Sequence, residues 1–74
     1  MEQHIHTLGD EIRAEMARRR ITVAALAETL DMSTAQLSRR LNGSTALTVD
    51  DAQRIADQLG VTLAQLVQRA DAAA

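Results

Sequence analysis

The stretch from Thr22 to Gly43, TVAALAETLDMSTAQLSRRLNG, constrains the fold more than any other part of this chain. Val23, Leu26, Ala27 and Leu30 fall at i, i+3, i+4 and i+7, which makes one apolar stripe along a helix. Leu37 and Leu41 form a second stripe at i, i+4. Asp31 and Met32 separate the two, and Ser33 is a favoured N-cap for a new helix. So short a break leaves no room for a wandering loop, and helices joined this tightly must cross at a steep angle.

Composition agrees with an all-helical core. The chain has 74 residues, enough for one domain over 1–74, and a domain of that size buries only about 60% of its unfolded surface. It contains no cysteine, so no disulfide and no thiolate metal site staples it. It also lacks Phe, Tyr and Trp, which leaves Leu, Ile, Val, Met and Ala to fill the interior by close helix packing. No apolar run approaches the roughly 20 residues that cross a membrane, and the N-terminus lacks a signal-peptide core. The expected location is therefore the cytoplasm, at the nucleoid of a bacterial host, with no membrane partner.

A net charge of −2 argues against nucleic acid until it is sorted along the chain. Residues 1–17 and 50–74 are both acidic on balance, whereas Arg18, Arg19, Arg20, Arg39 and Arg40 outnumber Glu28 and Asp31 in residues 18–49. The positive third contains the two-helix unit. A phosphate responds to charge within a Debye length of about 8 Å, not to the total.

Taken in order, the pattern predicts helices over about 7–19, 23–30, 34–42, 49–59 and 63–70, with 1–6 and 71–74 frayed. Leu8, Ile12 and Met16 form the core stripe of the first, behind Thr7 with Asp10 and Glu11 in the first turn. His4 and His6 lack a third ligand nearby and read as part of a frayed terminus rather than a metal site. On a third helix advancing about 100° per residue, Ala35, Ser38, Arg39 and Asn42 fall opposite the Leu37–Leu41 face. Gln36 and Arg40 lie on one flank. Asn42-Gly43 closes that helix, Gly43 suiting a left-handed C′ position. Ala52, Ile55, Ala56 and Leu59 line the fourth helix before Gly60, and Thr62 caps a fifth carrying Leu63, Leu66 and Val67.

The register of Thr22, Leu26, Ala27, Leu30, Ser33, Leu37, Ser38, Arg39, Asn42 and Gly43 resembles the Cro and cI repressor-like helix-turn-helix proteins, of the XRE type. With its flanking helices the likeness extends over roughly residues 7–69. It implies a compact five-helix lambda-repressor-like fold whose third helix enters the major groove of duplex DNA. Base edges would then be read by Thr34, Ala35, Gln36, Ser38 and Arg39, with Arg39 suited to guanine O6 and N7 and Ala35 or the Thr34 methyl to thymine. Phosphates would be held by Thr22, Ser33, Arg40, Asn42, Gly43, Ser44 and Thr45, with Arg40 swung outward. Contact by one of Arg18, Arg19 and Arg20 is left open.

Departures from the family are few. Val23 stands where a Gln often follows the cap, and Asp31 where the turn usually has Gly and needs a positive φ, which Asp tolerates. Met16 and Leu41 replace an Arg–Glu pair, a substitution that packed hydrophobes can make without loss.

No nucleophile stands beside a base, and no Gly-rich phosphate loop or helical metal motif is present, so neither enzyme chemistry, a cofactor nor a small-molecule ligand is expected. The resemblance implies a transcriptional regulator, a repressor binding a palindromic operator as a homodimer; Val61, Leu63 and Val67 are more apolar surface than a small core needs and put the expected pairing surface at the fifth helix. The alternative, from a different class, is an antitoxin-like or coactivator-like protein-interaction module working through the C-terminal helix.

Overall fold

A hydroxyl residue stands immediately before each helix of the computed structural model, which describes residues 7–73. α1 (Leu8–Arg18) follows Thr7, α2 (Val23–Thr29) follows Thr22, and α3 (Thr34–Asn42) follows Ser33. α4 (Val49–Leu59) follows Thr48, and α5 (Leu63–Ala73) follows Thr62. Each hydroxyl oxygen accepts the N–H three residues on, at 3.0–3.1 Å, satisfying a donor the helix leaves unpaired. At Thr7, Ser33 and Thr62 the bond is reciprocated, the Asp10, Gln36 and Gln65 side chains accepting the cap N–H at 2.8–3.0 Å.

The bounds read from sequence hold for α3 and α4, and in α1 and α2 only cap residues differ. α5 instead runs on to Ala73, past the expected end. Asp71, Ala72 and Ala73 contain no breaker, and alanine is the strongest helix former. The fraying expected of residues 1–6, with His4 and His6, and of Ala74 lies outside the described residues.

Three helices stop in the same way. Ile21, Met32 and Val61 send their N–H groups back to the carbonyls of Met16, Ala27 and Ala56 at 2.9–3.1 Å, closing Schellman motifs. The residues forced left-handed are Arg20 (φ 56°), Asp31 (φ 59°) and Gly60 (φ 70°). Asp31 takes the positive φ expected of the turn; Arg20 was not foreseen.

All five helices contribute to one core, with Ile12, Leu37, Leu41, Ile55, Leu59 and Leu66 fully buried. Each such side chain contributes about 1.5–3 kcal/mol relative to exposure. Met16 and Leu41 lie together in this core, 3% and 1% exposed. α1 packs on α3 and α5, and α2 on α3, so the two-helix unit is held from behind. Among the described residues there is no strand, no helix long and apolar enough to cross a membrane, and no cluster of potential metal ligands.

Candidate nucleic-acid interface

Leu37 and Leu41 anchor α3 in the core, and this fixes which of its residues face outward. Thr34, Ala35, Gln36 and Arg39 are exposed, while Ser38 is half-buried at the edge of the face. The exposed surface is small or polar with one guanidinium, a shape that can approach base edges closely. Gln36 is not wholly free, because its Oε1 accepts the Ser33 N–H at 2.8 Å; its amide NH₂ remains to donate.

The residues assigned to phosphates fall into two groups at the surface. Thr22 and Ser33 are exposed caps whose oxygens already accept an N–H, and each hydroxyl proton is still free to donate outward. Asn42, Gly43, Ser44 and Thr45 form the exposed loop after α3, where Gly43 takes φ 87°. Two backbone N–H groups of this loop are occupied within it. Ser44 N–H donates to Asn42 Oδ1 at 3.0 Å, and Thr45 N–H to the Arg39 carbonyl at 3.2 Å. The loop therefore offers the Ser44 and Thr45 hydroxyls and the Asn42 amide NH₂.

Arg40 corrects the sequence reading. It does not swing outward: its Nη1 lies 3.2 Å from Asp51 Oδ2 in the first turn of α4 and 3.9 Å from Met32 Sδ. A carboxylate within reach of the inward rotamer outweighs exposure here, since charge-assisted bonds are the stronger kind.

The arginine cluster is likewise mostly engaged. Glu15, nearly buried, accepts from Arg18 Nη2 at 2.9 Å, Arg19 Nε at 2.7 Å and Arg69 Nη1 at 2.8 Å, joining α1 to α5. The hydrogen bonds from Arg18 and Arg19 hold its carboxyl down to about 2, against the opposing effect of burial. Arg18 in turn is raised by its bond to Glu15. Arg54 donates to the Leu30 carbonyl at 2.8 Å and so braces the end of α2. Among the described residues Arg13, Arg20, Arg39 and Arg54 are in no ion pair, and Arg54 is the one of these four held by a side-chain hydrogen bond. Arg20 adjoins the start of α2, and Arg39 is on the outer face of α3.

The apolar side of α5 is smaller than the sequence suggested. Val61 and Leu63 are partly buried against the core, and Val67, 42% exposed, is the one large apolar side chain of the three left open. Nothing in the sequence marks that division, since it depends on where the α4–α5 turn lands.

Two comparisons bear on this arrangement. Residues 12–66, from α1 into α5, match the sequence model of the helix-turn-helix family. The crystal structure of the clp gene regulator ClgR from C. glutamicum superposes with a TM-score of 0.85 over 97% of this chain and 95% of that one. At 23% identity the second likeness is one of fold. No curated protein is similar enough in sequence to count as a match.

Proposed function

The chain belongs to the helix-turn-helix family, and we propose on that basis that it is a transcriptional regulator that binds duplex DNA site-specifically with α3 in the major groove. One observation carries the reading: the core holds α3 by Leu37 and Leu41 so that Thr34, Ala35, Gln36 and Arg39 are together exposed. Arg39 grips a guanine edge, Ala35 and the Thr34 methyl contact thymine, and the Gln36 amide and Ser38 hydroxyl complete the contacts. Thr22, Ser33, Asn42, Ser44 and Thr45 position the helix on the backbone through neutral donors, with Gly43 allowing the loop its close approach. Arg40 has no part in it.

One recognition helix reads only a few base pairs, so the protein acts as a homodimer on a palindromic operator with half-sites about 34 Å apart. The pairing surface is the outer side of α5 around Val67, with Val61 and Leu63 beneath it. Occupancy of a promoter in this way represses transcription. Selection of sites from a random duplex pool by the purified protein tests the reading. A palindromic consensus is expected; a pool that yields no enriched sequence rules it out.

A further inference from the structure

Arg40 sits in the last turn of the recognition helix, yet the fold neutralises it. It lines a cleft of about 230 Å³ beside the α3–α4 loop, together with Gly43 and Thr45, which would lie along the phosphates. Its guanidinium pairs with Asp51, whose side chain is 12% exposed, through one bond of 3.2 Å. Its Nε is buried without a partner. An unpaired buried donor is unfavourable, and a partly buried ion pair is weak evidence for stability. Packing alone is thus a poor reason for an arginine at this position, where an apolar side chain would fill the same space without an orphaned N–H.

We propose that Asp51 is a specificity-determining residue that latches Arg40 away from the DNA backbone. The inference rests on the DNA-binding reading above. Sequence-independent affinity comes from counterion release, and each phosphate neutralised by a cation steepens the dependence of log K on log salt by about 0.9. A free Arg40 beside Gly43 and Thr45 would add one such contact per protomer to every duplex, cognate or not. Held by Asp51, it adds none, and the base contacts of Arg39 decide a larger share of the binding. Arg18, Arg19 and Arg69 are engaged on Glu15 in a comparable way.

The test is a salt titration of full-length wild type, Asp51→Asn and Arg40→Met on the selected site and on an unrelated duplex of equal length. Thermal melting of each protein confirms that it is folded, and Asp51→Ser replaces Asp51→Asn if the latter melts below the assay temperature. Asp51→Asn should bind the unrelated duplex several-fold tighter, with a slope steeper by about 0.9 per protomer, and discriminate less between the duplexes. Arg40→Met should keep the wild-type slope on both. An unchanged slope in the Asp51 variant, or a shallower one in Arg40→Met, overturns the latch. Wild type that binds neither duplex in a salt-dependent way overturns the DNA-binding reading, and the latch with it.

Discussion

Gly9 in α1 lies directly against the backbone carbonyl of Leu41 in α3, with no space for a side chain between them. A Cβ at Gly9 would stand 2.8 Å from the Leu41 carbonyl carbon and collide with its oxygen. The obstacle is backbone, which cannot rotate aside, so α1 sets the seat of α3. On an exposed helix Gly→Ala would stabilise; here Gly9→Ala should destabilise by about 2–3 kcal/mol through overpacking. Thermal unfolding checks the sign, with a fall of about 4–8 °C per kcal/mol for a domain of this size.

Arg20 and Asp31 hold left-handed backbone at the ends of α1 and α2. A side chain in that region costs roughly 1–2 kcal/mol, part of which glycine gives back as unfolded-state entropy. Arg20→Gly should therefore stabilise by about 0.5–1 kcal/mol, and Asp31→Gly by less, because Asp tolerates the conformation better. Urea unfolding of the two variants should show higher midpoints in that order.

Glu15 makes stability depend on acid. Its carboxyl is held down to about 2 from an ordinary 4.5 by Arg18, Arg19 and Arg69. A group depressed on folding adds stability that is present above its unfolded value and lost as pH falls through its folded value. Wild-type stability should thus decline between about pH 4.5 and pH 2. In Glu15→Gln the decline in that window should be shallower and the stability at pH 7 lower. Chemical unfolding at a series of pH values measures both.

Much of this was readable from the chain, and the parts that were not have a common cause. The caps at Thr7, Thr22, Ser33 and Thr62 and the stripes from Ile12 to Leu66 are local, set by neighbours within one or two turns, whereas the positive φ of Asp31 is expected from the family resemblance. Gly9 against Leu41, Arg40 against Asp51 and Arg69 on Glu15 join residues far apart in sequence, and no periodicity announces which side chains meet. The error at Arg40 came from reading its helix face without the acid that α4 brings to it. Nothing in the sequence singles out Glu15, because its three arginines converge from two distant parts of the chain. Of the proposed recognition surface, the exposure of Thr34, Ala35, Gln36 and Arg39 followed from helix geometry alone, whereas the internal bonds of the Ser44 and Thr45 N–H groups were not visible.

Val67 offers a test of pairing that leaves the core alone. At 42% exposure it lies largely outside the core, so Val67→Glu should melt close to wild type. Sedimentation equilibrium should find the variant monomeric at concentrations where wild type is dimeric.

The central claim is that α3 reads DNA, and Arg39→Ala tests it most directly. The side chain is exposed and without an acidic partner among the described residues, so its loss should leave thermal stability unchanged. Anisotropy titration on the selected site should show binding weakened by about 1–3 kcal/mol, a factor of roughly 5–150, with discrimination relaxed at one guanine position in each half-site. Equal affinity of Arg39→Ala and wild type for that site would contradict the account and favour a module that acts on a protein partner through α5.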